Sequence, residues 1–263
     1  MHFTKMQGLG NDYLYVYGSV PSDIVSLSQK LSDRHFGIGS DGMIYISPSL
    51  KVDFTMRIFN ADGSEAMMCG NGIRCVGKYV YDKGYSDKKH LKIETLSGIK
   101  ELDLDVRGGT VRNVTVNMGK SVAADEMQMK IKENMWTMTP VSVGNPHAVI
   151  FVENAETAPV DSVGPVIEHS SLFPGGVNVE FVQYLDSTNL RMRVWERGSG
   201  ITMACGTGAC AAATAAVKKG YCEQDTPLNI HLDGGVLTIQ VNSDGYIFMT
   251  GSAETICEGD VEL

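Results

Sequence analysis

The sequence predicts an α+β protein of mixed α/β character, made of two pseudo-symmetric domains that arose by internal duplication. The first observation behind this prediction is a repeat: segments 59–72 and 195–208 both end in Cys-Gly-x-Gly, with their cysteines 136 positions apart. The second is that short apolar strands precede one helical stretch in each half. The third is the length, since 263 residues divide into two halves of ordinary domain size.

The repeat extends well beyond the two cysteine strings. Lys-Gly-Tyr occurs at 83–85 and again at 219–221, at the same offset as the cysteines. Upstream, Gly-Asn at 10–11 corresponds to Gly-Asn at 144–145 at an offset of 134. Chance matching of common glycine-containing strings does not readily produce several matches at nearly one offset. We therefore interpret the chain as two similar domains.

Strands are predicted at corresponding places in the two halves. Segments 57–59 and 190–195 are rich in apolar, β-branched and aromatic residues, which is typical of buried strands. Segments 111–118 and 236–241 alternate between apolar and polar residues, as antiparallel strands with one buried face do.

One helix is predicted after each Cys-Gly. An apolar i, i+3, i+7 stripe that starts at Ile73 indicates the first helix, and the second, at 209–217, is mostly alanine. Gly84 and Gly220 follow these stretches in the position where a glycine commonly ends a helix.

Composition and charge argue against several classes of protein. A net charge of −9 disfavours nucleic-acid binding. No apolar run is long enough to span a bilayer, and residues 1–15 lack the continuous apolar stretch of a signal peptide. Six cysteines without C-x-x-C spacing are expected to be thiols in a reducing cytoplasm, with no metal site. We therefore expect a cytoplasmic protein that is not bound to membranes.

Two cysteines at helix starts indicate a particular chemistry. The first N–H groups of a helix have no internal partners and carry partial positive charge, so they favour thiolate formation and can bind a carboxylate. Inversion at an α-carbon needs a base on one face and an acid on the other. Cys69 and Cys205 are therefore predicted to act as a two-base pair on one substrate. A single cysteine before a helix is more often structural, and Cys75, Cys210, Cys222 and Cys257 are assigned to that class.

The chain resembles diaminopimelate epimerases over essentially its whole length. The strings that carry the resemblance are G-L-G-N-D at 8–12, F-N-A-D-G-S-E at 59–65, M-C-G-N-G-I-R-C at 68–75, G-N-P-H-A-V at 144–149, G-V-N-V-E-F at 176–181 and E-R-G-S-G-I-T-M-A-C-G-T-G-A-C-A at 196–211. The two cysteine strings together are highly specific. One departure is Gly42, because some family members carry glutamine there.

The resemblance implies an isomerase that needs no pyridoxal phosphate or other cofactor and interconverts LL- and meso-diaminopimelate for lysine and cell-wall precursor synthesis. It implies two domains, each a curved, mostly antiparallel sheet around a central helix, with the active site in the cleft between them. The last strand returns to the first domain, so the expected domains are 1–117 with 251–263, which contains Cys69, and 118–250, which contains Cys205. Family members are often homodimers, and we expect one here.

The resemblance also assigns the site. Cys69 and Cys205 would be the two bases, while His147 and Glu196 would orient the substrate ammonium and manage thiol protonation. The residues that would bind the substrate are Asn11, Asn60, Gly70, Asn71, Asn145, Asn178, Glu196, Arg197, Gly206 and Thr207. Asparagines offer both donors and acceptors to a zwitterion, and an arginine can clamp a distal carboxylate. A purely local role in turns stays open for His147 and for the two Gly-Asn pairs.

Other functions fit the sequence less well than this one. A sister racemase acting on histidine or proline would use the same cysteine pair, and the predicted distal-carboxylate pocket around Arg197 disfavours it. A binding protein without activity would need no pair of acids and bases. A pyridoxal enzyme would need a Schiff-base lysine, and the two repeated site strings contain none. A phosphate-binding P-loop is excluded because its sequence pattern does not occur.

Overall fold

The computed structural model describes residues 1–262, so the last position of the predicted segment 251–263 lies outside the described residues. The contacts divide the chain into two compact units. Unit 1 comprises Met1–Val116 together with the residues from Gly251 onward, and unit 2 comprises Asn117–Thr250.

The elements follow one another in chain order. From the N-terminus they are β1 (His2–Gly8), β2 (Asn11–Tyr17), α1 (Ile24–Ser32), β3 (Gly42–Pro48), β4 (Phe54–Asn60), β5 (Glu65–Ala66), α2 (Gly70–Asp82), β6 (His90–Thr95), β7 (Gly98–Arg107) and β8 (Thr110–Lys120). They continue as β9 (Val122–Ala123), β10 (Met127–Ile131), β11 (Asn134–Ser142), β12 (Pro146–Phe151), α3 (Val160–Glu168), β13 (Asn178–Asp186), β14 (Asn189–Glu196) and β15 (Gly200–Ile201). The chain ends with α4 (Gly206–Lys218), β16 (Leu228–Leu232), β17 (Gly235–Val241), β18 (Tyr246–Ser252) and β19 (Glu254–Asp260).

Unit 1 is built on antiparallel strand pairs with two parallel pairings. β1 lies between β2 and β19 and is antiparallel to both, which brings the C-terminal strand into the N-terminal unit. β2 is parallel to β3, with Leu14 opposite Met43, and β4 is parallel to β6. Helix α2 packs against β1, β2 and β7, and all its residues from Gly70 to Val80 are buried. Its N-terminus is therefore held rigidly by the sheet.

Unit 2 repeats this arrangement. β12 is parallel to β13, with Ala148 opposite Val179, and β14 is parallel to β16, while the neighbouring pairs are antiparallel. Helix α4 packs against β11, β12, β13 and β17. The alanines of its middle section are completely buried, so small side chains let strands approach the helix from several sides.

These elements confirm the predicted fold class and the predicted strands. The predicted helix ends are also confirmed, because Gly84 and Gly220 follow α2 and α4 with positive φ angles of 76° and 72°. L side chains rarely adopt that backbone conformation, and glycine adopts it without a steric cost.

The prediction of one helix per half was incomplete, since each unit contains a second helix of nine residues. In α1, Ile24, Leu27 and Leu31 are buried at helical spacing, but the segment is short and its N-cap makes no side-chain hydrogen bond. In α3 the interior Pro165 is a signal that usually ends a helix. Within residues 1–262, every helix is too short or too polar to cross a bilayer.

Candidate active site

Both repeat cysteines occupy the N-cap position of a buried helix. Cys69 precedes α2 and Cys205 precedes α4, and both have extended backbone angles. The amide of Gly72 donates to Cys69 Sγ at 3.3 Å, and the amide of Gly208 donates to Cys205 Sγ at the same distance. Each sulfur therefore accepts one of the helix N–H groups that have no partner within the helix.

The surroundings of Cys69 are polar and partly open to solvent. Cys69 Sγ donates to Asn11 Oδ1 at 3.3 Å, and Asn11 Nδ2 donates to Asp41 Oδ2 at 2.7 Å. Asp41 also accepts the backbone amide of Asp12 and forms an ion pair with Arg34. These contacts fix the orientation of the Asn11 amide, so that its carbonyl oxygen points at the thiol.

Tyr13 is the aromatic neighbour of this thiol. Burial, and after it the proximity of Cys69 and Asp41, raises the pKa of the Tyr13 hydroxyl above its usual value. The phenol is therefore a neutral hydrogen-bonding group rather than a base.

Cys205 lies in a different environment, because it is fully buried beside carboxylates. Burial raises the pKa of its thiol well above the usual value, and the charges of Glu196 and Glu180 raise it further. Thr207 and the amide of Gly208 act in the opposite direction. The expectation that a helix N-terminus lowers the thiol pKa was therefore wrong for Cys205, since burial and two acidic neighbours outweigh the helix N–H groups.

Glu196 is held close to this thiol. Thr202 Oγ1 donates to Glu196 Oε1, and Glu196 also hydrogen-bonds with Cys205. Burial, followed by the charge of Glu180, raises the pKa of Glu196, while its hydrogen bonds lower it. The arrangement couples the proton of Cys205 to a neighbouring carboxyl group.

A chain of hydrogen bonds leads from the protein interior to Cys205. His147 Nδ1 lies 2.7 Å from Glu180 Oε1, and His147 Nε2 lies 3.0 Å from Asn145 Oδ1. Asn145 Nδ2 donates to Thr207 Oγ1 at 3.3 Å, and Thr207 Oγ1 lies 3.6 Å from Cys205 Sγ. Three predicted site residues of unit 2 are thus brought together with its cysteine.

Asn178 and Arg197 are neighbours in unit 2. Asn178 Nδ2 donates to the carbonyl of Pro146, and its Oδ1 accepts the backbone amide of Arg197 at 3.0 Å. The Arg197 guanidinium is exposed and donates to the carbonyl of Gly175, which leaves most of its N–H groups to solvent. Asn178 thereby fixes the backbone from which the predicted carboxylate clamp projects.

The remaining predicted residues belong to the two helix starts and to the end of β4. Gly70 and Gly206 are the first residues of α2 and α4, and Asn71 Oδ1 accepts a hydrogen bond from Arg74 in the next turn. Asn60 Nδ2 donates to Ser64 Oγ at 3.1 Å. Asn60 therefore has a local contact of its own in the loop after β4.

The glycine at position 42 has a steric explanation. A Cβ atom there would lie 2.1 Å from the carbonyl oxygen of Phe59 and 2.9 Å from Asn60 Cα. Gly42 is paired with Asn60 in the β3–β4 ladder, so this backbone cannot move away easily. A side chain there would require the neighbouring backbone to shift.

The sequence interpretation missed three residues of these surroundings: Tyr13, Asp41 and Glu180. Tyr13 could have been found by following the repeat, because the offset that aligns Asn11 with Asn145 also aligns Tyr13 with His147. Asp41 and Glu180 lack such a signal, because neither occupies a position that is acidic in both halves. Within residues 1–262, no group of three or more His, Cys, Asp and Glu side chains is arranged to hold a metal ion.

The fold is shared with solved structures of other proteins at low sequence identity. The structure of a probable proline racemase from Agrobacterium radiobacter superimposes with a TM-score of 0.76 at 15% identity, covering 100% of this chain and 93% of that one. A phenazine biosynthesis protein of the PhzF family from Bacillus anthracis gives 0.79 at 14% identity, covering 100% and 99%. At these identities the likeness shows the fold alone, on which Cys69 and Cys205 each cap a helix.

Sequence comparison is more specific. The family model described as diaminopimelate epimerase matches residues 3–124 and 139–256. The diaminopimelate epimerase of Acetivibrio thermocellus is 47% identical over 279 aligned positions, covering 100% of this chain and 99% of that protein. That of Parabacteroides distasonis is 50% identical over 268 positions, covering 100% and 98%. The chain belongs to the diaminopimelate epimerase family, which confirms the resemblance drawn from the sequence strings.

Proposed function

We propose that this protein interconverts LL- and meso-diaminopimelate, with Cys69 and Cys205 as the two bases and without a cofactor. The observation that carries the proposal is the equivalence of the two sulfurs. Each caps a buried helix in its own unit, and each accepts the amide of the third helical residue at 3.3 Å. Two such groups are what inversion at one carbon requires, since a proton must leave one face and arrive at the other.

The proton steps follow from the environments of the two thiols. The raised pKa of Cys205 favours its thiol form, which suits it to donate a proton to the α-carbon. In that direction Cys69 first loses to solvent the proton that it donates to Asn11 Oδ1 in this structure, and its thiolate removes the α-proton. The C–H electron pair stays on carbon, and the Cys205 thiol protonates the opposite face. Cys69 ends as a thiol and Cys205 as a thiolate, which is the form required for the reverse reaction.

The substrate carboxylate at the reacting centre would be bound by the amides that open the two helices, at Gly70–Asn71 and Gly206–Thr207. Helix N–H groups and the helix dipole stabilise negative charge there as it builds up during carbanion formation. His147 and Glu196 would orient the substrate ammonium. Arg197 would bind the distal carboxylate through its exposed guanidinium.

The proposal extends to the organisation of the protein. Units 1 and 2 would be the two epimerase domains, each contributing one cysteine, and the substrate would bind between them. The protein would act as a homodimer in the cytoplasm and supply meso-diaminopimelate for lysine and cell-wall precursors. The diaminopimelate epimerase relatives, matched over nearly their whole length, support this assignment.

The proposal is tested by proton NMR in deuterium oxide under reducing conditions, starting from a single diaminopimelate stereoisomer. We expect the α-proton signal to disappear while the other isomer forms. Cys69→Ala and Cys205→Ala should each reduce the rate by about 10⁴-fold, because each removes a proton-transfer group. Cys222→Ser is the matched control, since Cys222 is a buried thiol of unit 2 whose repeat-equivalent is Ser86.

The outcomes separate substrate from mechanism. If the α-proton persists with diaminopimelate but exchanges with histidine or proline, the two-thiol reaction stands and the substrate is wrong. If Cys222→Ser is as inactive as the alanine variants, the assignment of the two bases fails.

A further inference from the structure

Glu180 and His147 form a fully buried pair in unit 2. The proposed reaction gives His147 a role but gives none to Glu180. Both side chains are inaccessible to solvent, and 2.7 Å separates Glu180 Oε1 from His147 Nδ1. The second carboxyl oxygen, Oε2, has no hydrogen-bond partner among the described residues. A buried carboxyl group is costly unless it is paired, so the position of Glu180 depends on its contact with His147.

The contact with Asn145 identifies one protonated nitrogen of His147. Asn145 Oδ1, 3.0 Å from Nε2, can only accept a hydrogen bond, so Nε2 must be protonated. This holds whichever of Nδ1 and Oε1 carries the proton that they share. A protonated Nε2 in turn holds the Asn145 amide so that its NH₂ group faces Thr207, beside Cys205.

The other half of the molecule shows that the fold does not need a carboxylate here. The parallel pairings β2–β3 and β12–β13 have the same register. At the 136-position offset of the repeat, Glu180 corresponds to Ile44. Ile44 is completely buried and packs against α2 as an ordinary core residue.

The contacts of the third helical glycine confirm the correspondence. A Cβ atom placed on Gly72 would meet Ile44 Cδ1 at 2.7 Å, and one placed on Gly208 would meet Glu180 Oε1 at 2.8 Å. The two side chains thus occupy the same place beside equivalent helix starts. An ionisable group in a position that packs well with isoleucine reduces stability unless it is paired, and so indicates a functional role.

We propose that Glu180 is a positioning residue of the reaction, which acts through His147 to hold the Asn145 amide in the orientation required beside Cys205. This inference rests on the proposed function, because it assigns Asn145 to the substrate site. Glu180 itself need not touch the substrate. Its effect is to hold the His147 ring through Nδ1, so that Nε2 stays within hydrogen-bond distance of Asn145 Oδ1.

The first test is independent of catalysis and uses nitrogen NMR of protein labelled with ¹⁵N-histidine, with the His147 signals assigned by comparison with His147→Gln. In the wild type we expect Nε2 of His147 to be protonated. In Glu180→Ile, which installs the residue of the equivalent position 44, the partner of Nδ1 is lost. We then expect the Nε2 signal to move, because the ring is no longer held against Asn145 Oδ1. An unchanged Nε2 signal in this variant would overturn the proposal. Glu180→Ala provides the same test if the isoleucine variant does not fold, because it also removes the partner of Nδ1.

The second test is kinetic and uses a double-mutant cycle. Glu180→Ile should lower kcat by about 10- to 100-fold, the usual range for losing the partner that orients a functional histidine. Glu180→Gln should lower it less, because the glutamine amide can still donate to Nδ1. In an Asn145→Ala background, Glu180→Ile should have little additional effect, since residues of one network are not additive. Glu156→Gln, an exposed carboxylate of unit 2, is the control.

The outcomes keep the two proposals apart. Inactive wild-type protein would contradict the proposed function and leave the NMR test of His147 intact. A changed Nε2 signal with unchanged kcat would overturn the positioning role. Fully additive effects of Glu180→Ile and Asn145→Ala would do the same, because Glu180 would then act by another route.

Discussion

The surroundings of Cys69 and Cys205 share one backbone design and differ in their acid–base chemistry. In both, a cysteine caps a buried helix and accepts the amide of a glycine three residues later. Cys69 is partly exposed and contacts the neutral amide of Asn11, whereas Cys205 is buried and lies beside Glu196 and Glu180. After the duplication, the geometry that presents the sulfur was kept while the groups that control its proton diverged.

Residues at equivalent positions of the repeat differ in chemical type between the two units. Asn60 and Tyr13 of unit 1 correspond to Glu196 and His147 of unit 2, and Ile44 corresponds to Glu180. In each pair the residue of unit 1 is neutral and the residue of unit 2 is ionisable. We infer that unit 2 carries most of the control over protonation in the proposed two-base reaction.

Among variants that change the groups around the two cysteines, Glu196→Gln is expected to have the largest effect. We expect kcat to fall by about 10²- to 10⁴-fold, the range for losing a group that assists proton transfer.

The pH dependence of kcat in Glu196→Gln is a second prediction. A thiol acid works only while protonated, so its activity falls as pH rises through its pKa. Because Glu196 raises the pKa of Cys205, removing its charge should move this alkaline fall to lower pH. A profile shifted to higher pH would contradict the assignment.

The next largest effect distinguishes Gly208 from Gly72, the glycines at the third position of α4 and α2. In Gly208→Ala the new Cβ would press on Glu180 Oε1 and, at 3.2 Å, on Cys205 Sγ, so we expect kcat to fall by roughly 100-fold. In Gly72→Ala it would meet the ends of the Ile44 and Met56 side chains, which can adjust at a cost of about 1–3 kcal/mol in unfolding free energy. Denaturant unfolding and steady-state kinetics of both variants measure the contrast. Equal losses of kcat would show that the two surroundings are not chemically different.

A smaller effect is expected in unit 1 from Asp41→Asn. The carboxylate accepts the Asn11 amide at 2.7 Å and pairs with Arg34, but it is partly exposed, so solvent can replace part of its role. We expect about a 3- to 10-fold loss of kcat/KM, corresponding to one hydrogen bond to a charged group. The measurement is a substrate titration of the exchange rate. A loss as large as that of Glu196→Gln would place the dominant control of protonation in unit 1.

The smallest effect is expected for Tyr13→Phe. The Tyr13 phenol is neutral because burial raises its pKa, and the ring keeps its packing in the variant. We expect a change in kcat of less than about 3-fold, since only one net hydrogen bond is lost. A loss near 100-fold would make Tyr13 an acid–base group equivalent to His147.

Much of this arrangement could be predicted from the sequence, because the duplication repeats what each site needs. The Cys-Gly-x-Gly strings marked both helix starts, and Gly84 and Gly220 marked both helix ends. Position 180 could not be recognised in the same way, because it is acidic in one half only and the sequence offset does not show that the position is buried beside a helix start. The raised pKa of Cys205 also could not be predicted from the sequence, since it depends on burial and on carboxylates brought close by folding.

The central claim, that the two thiols act as separate bases on opposite faces of one carbon, is tested most directly by initial-rate deuterium incorporation. The wild-type protein is incubated with LL-diaminopimelate in deuterium oxide, and substrate and product are separated and analysed at low conversion. Two bases predict deuterium at the α-carbon of the meso product, while the remaining LL substrate keeps its α-proton. Deuterium entering both isomers at equal rates from the start would indicate a single base and contradict the claim.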